Sequence, residues 1–312
     1  MSKWSAAVLA SLLVASSAVV GIAQTALSDA AEGAVTATAS TTPTTIPASK
    51  IISSSTTDQT VGMPKSAINL AAIPIGTGKA SSKPLVGSLY RCGGAPSGGP
   101  PVFTPPWANT SAGTYNAKTK LAVEGSVSYA STFKVTHVGT NQVFTGNGLP
   151  KRSGTFPVAV SDPSHAYNPD PSSVTAHSIT LTVPFGPKVN TTARCEMGAV
   201  GISIDGIPIL DGFGYHYHSL SPCILSTTAR THATLVGWSL DGFGIYVEYN
   251  SKGQLLTNAS LDGCHGRKSV VPWHGKSQAV YHYDMTFEFP YTVGCFRATP
   301  TTFFGMTTGQ QP

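Results

Sequence analysis

Charged residues are scarce in this sequence and form no cluster. Asp, Glu, Lys and Arg make up 11% of the 312 residues, and the formal net charge is +5. The chain has no basic run or stripe with which a protein neutralises nucleic-acid phosphates, so we expect no nucleic-acid partner. A composition poor in charge and rich in Ser, Thr and Gly favours an extracytoplasmic protein over a cytosolic enzyme.

Three familiar sequence patterns are missing as well. No window of a dozen residues combines helix-period apolar spacing with caps, and 23 Pro and 32 Gly argue against long helices. No C-x-x-C pair is present, which disfavours a zinc–thiolate site. No Gly-x-Ser-x-Gly elbow marks a serine hydrolase. A glycosidase would have to draw its two carboxylates from a small set, namely Asp262, Asp284, Glu248 and Glu288.

The N-terminal part of the chain has the features of a targeting signal and a low-complexity segment. An apolar run over residues 6–23 predicts a secretory signal peptide within residues 1–30, cleaved after Ala23 or Ala30. A retained membrane anchor is the alternative, because the run approaches the roughly 20 residues of a membrane span. Residues 31–111 are rich in Ser, Thr, Pro and Gly and predict a disordered stalk and loop, because they bury too little apolar surface to offset chain entropy.

Residues 112–312 predict a single, mostly β, sandwich-like domain. Residues 121–138 and 174–184 alternate apolar with small or polar side chains, as half-buried strands do. Residues 198–210 and 235–250 are rich in β-branched and aromatic residues, and each run is interrupted by Asp-Gly. An Asp-Gly pair between such runs is a strong signal for a β-hairpin.

An internal duplication is visible in this predicted domain. The unit Gly201-ISIDGIPI resembles Gly237-WSLDGFGI, 36 positions later. Each unit is followed by a Tyr-His-Tyr motif, beginning at Tyr215 and at Tyr281, 66 positions apart, so the second half carries an insertion of 30 residues. A duplicated half-domain predicts two histidine strands near a pseudo-twofold axis, a geometry that would gather up to four ligands at one place.

The two Tyr-His-Tyr motifs are the strongest candidate site. Successive side chains of an extended strand face opposite ways, so the two polar side chains of each motif share a face. Imidazole pairs and imidazole–carboxylate pairs are ligands for transition metals, of which Zn and Cu fit best. We therefore predict one metal site made by His216, His218, His282 and Asp284. The alternative is a structural polar core, in which these histidines hydrogen-bond tyrosine hydroxyls and backbone carbonyls.

Four further residues are possible additional ligands, because they lie at a strand start or in the inserted segment: His232, Asp262, His265 and His274. A histidine at a strand end is more often a surface residue than a ligand. A Trp-His-Gly loop is equally well explained as a packed turn. The sequence identifies no catalytic residue.

Five cysteines are spread over the chain, at positions 92, 195, 223, 264 and 295. Behind a signal peptide, disulfides are the expected use of these residues. An odd count leaves one cysteine without a partner in the same chain.

Five sequence blocks in order resemble the YHYH-domain family of secreted proteins. They cover about residues 130–298 and are Gly146-NGLP with Gly154-TFP, Gly198-AVGISIDGIPI, Gly237-WSLDGFGIY with Leu261-DGC, the Tyr-His-Tyr motif, and Phe289-PYTVGCFR. The family's domain has no established function, and metal binding by its histidines is only a suspicion. The resemblance implies a Cys264–Cys295 disulfide and a Cys195–Cys223 disulfide, which leaves Cys92 as the odd cysteine.

The chain departs from the family pattern at three places. Asp284 stands where the family has a histidine, and Asp211-GFG replaces a Cys-Gly-Gly-His segment before the first motif. Lys151 and Arg152 stand where the family often has a histidine. These differences remove candidate ligands from the family's pattern.

Three hypotheses for function follow. The first is a metal-binding β domain that is secreted or extracytoplasmic, with attachment to the cell surface as the alternative to free secretion. The second is a non-enzymatic surface or matrix module whose His/Tyr layer is structural and whose loops bind an extracellular partner or glycan. A sugar-binding face for that module would be lined by aromatics that fit a sandwich core equally well: Trp238, Phe243, Tyr246 and Trp273. An extracellular hydrolase ranks third.

Overall fold

The computed structural model describes residues 65–76, 79–93, 105–167, 169–196, 198–209, 214–225, 228 and 232–302. The predicted signal peptide, the alternative membrane anchor and the predicted stalk up to residue 64 lie outside these residues, and so do positions 303–312 of the predicted domain. Among the described residues, no helix has the length and apolar character needed to span a membrane.

Regular structure in this part of the chain is almost entirely β. One short helix, α1 (Pro222–Leu225), and one 3₁₀ turn (Asn258–Ser260) accompany the strands. The strands are β1 (Ile73–Pro74), β2 (Ala80–Ser81), β3 (Leu89–Tyr90), β4 (Ala108–Asn109), β5 (Thr114–Tyr115), β6 (Val127–Ser128), β7 (Phe133–Val138), β8 (Asn141–Gly146), β9 (Arg152–Ser153), β10 (Ile179–Pro184), β11 (Gly201–Ser203), β12 (Pro208–Ile209), β13 (Thr234–Ser239), β14 (Gly244–Val247), β15 (Gly266–Trp273) and β16 (Lys276–Asp284).

The largest sheet has six strands in the order β12-β11-β13-β14-β16-β15. β11 with β12 and β13 with β14 form antiparallel hairpins, each closed by an Asp-Gly pair, which confirms the hairpin prediction. Gly206 and Gly242 have φ values of 84° and 90°, a left-handed conformation that glycine adopts without a Cβ clash. β14 pairs with β16 in parallel, and β15 forms the edge, antiparallel to β16.

A local twofold axis relates the two hairpins. β11 and β13 pair antiparallel, with Ile202 opposite Trp238 and with two flanking pairs, Gly201–Ser239 and Ser203–Gly237. The two units are offset by 36 positions. Exchanging the units therefore leaves the Ile202–Trp238 pair unchanged and converts the two flanking pairs into each other. The duplication predicted from sequence is thus visible in the strand register.

The same symmetry extends to the Tyr-His-Tyr motifs. Tyr217 forms a parallel bridge to Ile209, and Tyr283 is paired in parallel with Ile245. Each motif therefore lies outside the second strand of its own hairpin. β15 comes from the segment inserted in the second unit, so it covers only the second motif.

A three-stranded antiparallel sheet, β10-β8-β7, shares one hydrophobic core with the six-stranded sheet. On β10, Ile179, Leu181 and Val183 are buried while the residues between them are exposed, which is the alternation expected of a strand covered on one face. Phe144 of β8 lies 5.0 Å from Trp238, centroid to centroid. The mostly β, sandwich-like fold is confirmed.

Part of the segment predicted as stalk and loop, residues 31–111, is packed against the domain in the structure. Ile73 is fully buried in the main core, and its strand β1 pairs with β5. Ser66 bridges Leu255. The physical reason is the apolar run over residues 68–75, which supplies enough burial to order a segment whose overall composition suggested a stalk.

Two disulfides connect the described residues. One is Cys264–Cys295, as the family resemblance implies. The other is Cys92–Cys195, which corrects the implied Cys195–Cys223 pair. Cys92 reaches Cys195 because a parallel bridge between Arg91 and Glu196 aligns the two segments, with the cysteine Cα atoms 5.0 Å apart. The Cys223 side chain lies outside the described part of the structure.

Candidate metal centre

Strand β16 places its side chains alternately on the two faces of the large sheet. Tyr283 belongs to the main core and lies edge-on to Phe243. His282 faces the other way, with its ring 5.0 Å from that of Tyr246 in a second, smaller cluster. Asp284, two positions after His282, lies on the same face, and both residues are 0% exposed. This is the alternation expected for the motif.

The ring of His282 is oriented by the backbone. Nδ1 lies 3.0 Å from the carbonyl oxygen of Val280, so we assign the proton to Nδ1, which donates to that oxygen. In the neutral ring, Nε2 then carries a lone pair. Nε2 lies 3.2 Å from Oε2 of Glu248 and 3.6 Å from Oδ2 of Asp284. A backbone carbonyl on the remote ring nitrogen is the arrangement that orients metal-ligating histidines.

Glu248 is the member of this group that sequence reasoning missed as a ligand. It directly follows β14, which pairs with β16 and so brings the Glu248 carboxylate to His282. Ser269 Oγ donates to its Oε1 at 2.9 Å, and Nε of Arg267 lies 3.6 Å from its Oε2. The available signal was a single carboxylate directly after a short apolar strand.

The two carboxyl groups differ in their environment. Neither oxygen of Asp284 has a hydrogen-bond partner among the described residues. Burial, and next the charge of Glu248, raise the pKa of Asp284 well above its ordinary value. Burial alone would raise the pKa of Glu248 too, but His282, Ser269 and Arg267 together lower it. Glu248 is therefore the ionised carboxylate of the pair in the absence of a metal ion.

Glu248, His282 and Asp284 form a three-residue group with the donors of a metal site. One donor atom of each lies within 4.8 Å of the other two. A tetrahedral ion with ligand distances near 2.0–2.2 Å separates its ligand atoms by about 3.3–3.6 Å. The 3.2 and 3.6 Å separations from Nε2 of His282 fall close to that range.

The first motif repeats this histidine geometry at the surface. Nδ1 of His216 lies 2.8 Å from the carbonyl oxygen of Gly214, the same contact that His282 makes with Val280. Nε2 of His216 lies 2.7 Å from Nε2 of His218. His216 is half-buried and His218 is exposed, in contrast to the buried second motif.

The structure does not bring the four predicted ligands together. Between the strand bridge at Tyr217 and β16 lie β12, β11, β13 and β14, so the motifs are five strand spacings apart. At about 4.8 Å per spacing this is roughly 24 Å. One ion with ligands near 2 Å cannot span that distance. The structure therefore corrects the expectation that the four ligands meet near the twofold axis. Each motif lies outside its hairpin, away from the axis.

Comparison with known proteins bears on the same region. Residues 211–260 match a family model described as YHYH protein. Over this segment the chain is similar to that family. It contains the first motif, the β13–β14 hairpin and Glu248, whereas His282 and Asp284 lie beyond it. No curated protein and no solved structure matches the chain.

The second tyrosine of each Tyr-His-Tyr motif has a structural role. Tyr217 donates its hydroxyl hydrogen to Asp205 at 2.9 Å, and Tyr283 donates to Asp241 at 2.7 Å. In each unit, a serine two residues earlier also donates to the aspartate. Asp241 is fully buried, and burial raises its pKa in spite of these bonds. The aspartates of the two turns thus anchor the motif strands.

None of the four additional candidate ligands belongs to the three-residue group. Exposed His232 precedes β13, and exposed His274 lies against the ring of Phe185 in the β15–β16 turn. Asp262 accepts the N–H groups of Cys264 and Gly266 and the Tyr281 hydroxyl. Buried His265 contacts the hydroxyl of Thr286, and burial lowers its pKa to about 3. These contacts give the two residues of the loop structural roles.

The aromatic residues considered for a sugar-binding face lie mainly in the interior. Phe243 is 4% exposed, Tyr246 is 0% exposed and Trp273 is 8% exposed, while Trp238 is partly buried between the two clusters. The core interpretation of these residues is therefore the one that the structure supports.

Proposed function

We propose that this chain is an extracytoplasmic β protein that binds one divalent transition-metal ion through Glu248, His282 and Asp284. The observation that carries the proposal is that three buried donors lie close together. One of them, the carboxyl group of Asp284, has no hydrogen-bond partner among the described residues. Zn²⁺ suits one imidazole and two carboxylates in a closed site, and Cu²⁺ is the second choice.

The alternative is a buried His282–Glu248 ion pair beside a protonated Asp284. The raised pKa of Asp284 is compatible with that state. In that state Asp284 shares its proton with Glu248, and this hydrogen bond is among the causes of its raised pKa, so one buried oxygen of Asp284 is left without a partner at a cost of about 1–3 kcal/mol. A bound cation removes this cost by coordinating the carboxylate. It also compensates the like charges of Asp284 and Glu248.

Burial of the group favours a structural rather than a catalytic ion. His282 and Asp284 are inaccessible to solvent, and Glu248 is 9% exposed. A catalytic ion keeps a coordination position for water or substrate, whereas a structural ion is enclosed. The ion would join β14 to β16, and Ser269 and Arg267 of β15 hold Glu248 from the other side. We therefore expect metal binding to stabilise the edge of the six-stranded sheet.

Metal content of the purified protein tests this proposal. Protein secreted through an oxidising compartment and purified without chelator is expected to contain about one Zn²⁺ per chain by elemental analysis. After chelation, Zn²⁺ at a hundred times its dissociation constant should stabilise the fold by about 2.7 kcal/mol, or about 5–10 °C in Tm. Wild-type protein without metal and without a Zn²⁺-dependent Tm would overturn the proposal and favour the structural His/Tyr layer.

Asp284→Asn is the sharpest variant, because the amide keeps the size of the side chain and removes the charge. We expect this variant to fold, to lose the stoichiometric ion and to show no increase of Tm with Zn²⁺. His274→Ala is the matched control, because it removes an exposed imidazole that lies outside the group. Equal metal retention in both variants would exclude Asp284 as a ligand.

A further inference from the structure

The first motif presents two imidazoles that converge on one point at the protein surface. Nε2 of His216 and Nε2 of His218 are 2.7 Å apart, and the ring centroids are 4.5 Å apart. We infer that His216 and His218 form a second, surface metal site, independent of the buried group, that chelates a square-planar cation such as Cu²⁺.

Orientation of the His216 ring is the first argument. Its Nδ1 donates to the carbonyl oxygen of Gly214, as Nδ1 of His282 donates to that of Val280. This contact sets the tautomer, so the neutral ring of His216 offers its Nε2 lone pair. The twofold repeat thus provides a pre-oriented imidazole in each unit, and His218 takes the position that Asp284 has in the second.

The separation of the two nitrogens selects the class of ion. With metal–nitrogen distances of about 2.0 Å, two ligands at 90° lie about 2.8 Å apart, whereas two tetrahedral ligands lie about 3.3 Å apart. The observed 2.7 Å matches the separation of two ligands at 90°, and the rings rotate out of their hydrogen-bonded orientation to aim both lone pairs at one ion. Square-planar coordination by nitrogen is typical of Cu²⁺ and Ni²⁺. On binding, the cation takes the place of the proton between the two Nε2 atoms, and the neutral His218 ring then carries its proton on Nδ1, so no net proton is released.

Exposure of the pair determines how such an ion behaves. His218 is exposed and His216 is half-buried, so the protein supplies two ligands and water supplies the others. Two protein ligands hold an ion less tightly than the three of the buried group, and the exposure of His218 lets solvent take part in ligand exchange. We therefore expect the surface ion to exchange quickly and to be removed by a weak chelator that leaves the buried ion in place.

Copper titration of the full-length protein tests the surface site. The protein is first loaded with Zn²⁺ to occupy the buried group, and Cu²⁺ is then added while electron paramagnetic resonance is recorded. We expect one Cu²⁺ per chain with a signal showing hyperfine coupling to two nitrogens. His218→Asn should weaken this binding at least tenfold, about 1.4 kcal/mol, and should leave the Zn²⁺ content unchanged.

Matched variants separate the surface site from the buried one and from nonspecific copper binding. His274→Ala removes another exposed imidazole and is expected to leave copper affinity unchanged. Asp284→Asn should lose Zn²⁺ but keep the copper signal, so the two proposals fail independently. Unchanged copper affinity in His218→Asn, or an equal loss in His274→Ala, would overturn the inference. Because His218 is exposed, we expect its variant to fold, which circular dichroism verifies.

Discussion

Replacing the aspartate of each Asp-Gly turn compares the same interaction in two environments. Asp241 is fully buried, and its Oδ2 accepts hydrogen bonds from Tyr283 Oη at 2.7 Å and from the N–H groups of Arg297 and Ala298 at 3.0 and 2.9 Å. Asp205 is half-buried and accepts from the Tyr217 hydroxyl and a serine. Asp241→Ala should therefore cost much more stability than Asp205→Ala.

The magnitudes follow from the donors left without an acceptor. Each buried donor that loses its partner costs about 1–3 kcal/mol, and the donors around Asp241 are enclosed. We expect Asp241→Ala to lower the free energy of unfolding by about 4 kcal/mol or more. Asp205→Ala should lower it by about 1–2 kcal/mol, because Asp205 is half-buried and water can take the place of its carboxylate beside the Tyr217 hydroxyl.

Urea unfolding followed by tryptophan fluorescence measures both changes under identical conditions. Tyr283→Phe and Tyr217→Phe provide controls that remove one hydroxyl from each unit. Tyr283→Phe should cost more, because its oxygen also accepts the N–H of Arg297 at 2.7 Å. The reasoning would be refuted if Asp205→Ala destabilised the protein as much as Asp241→Ala.

Three further predictions concern stability. Burial lowers the pKa of His265 to about 3, below the value of about 6.5 in the unfolded chain, so its contribution to stability is fully present above pH 6.5 and is lost as the pH falls towards 3. Urea unfolding should show that His265→Asn removes about 2 kcal/mol of the difference between pH 6.5 and pH 4.5, and an unchanged pH dependence would contradict the assignment. Gly201→Ala and Gly237→Ala should each cost about 1–3 kcal/mol in thermal unfolding, because a Cβ would overlap a carbonyl oxygen of the facing strand, and neutral changes would argue against the tight β11–β13 register. Replacing both Cys92 and Cys195 by Ser should cost about 2–5 kcal/mol in urea unfolding without reductant, whereas no loss would mean that the bond is not formed.

Local sequence features predicted much of the fold. The two Asp-Gly hairpins, the mostly β class and the duplicated unit all appear in the structure. They were predictable because turn chemistry and strand alternation depend on residues only a few positions apart. The burial of Tyr217 and Tyr283 likewise follows from alternation.

Features that depend on distant segments were missed. Composition suggested a stalk and loop for residues 31–111, but Ile73 within this segment is buried in the core. Cys92 pairs with Cys195 across 103 positions, a contact that no local pattern encodes. Glu248 joins His282 only because a parallel pairing brings β14 beside β16 after a long connection.

The sequence by itself determined which side chains share a strand face, and therefore that His216 pairs with His218 and His282 with Asp284. Strand order alone decided that these pairs are about 24 Å apart. The inserted β15 then covers one pair, and the other remains at the surface. The physical reason is that side-chain alternation is a property of one extended strand, whereas sheet order and burial are set by the packing of the whole domain.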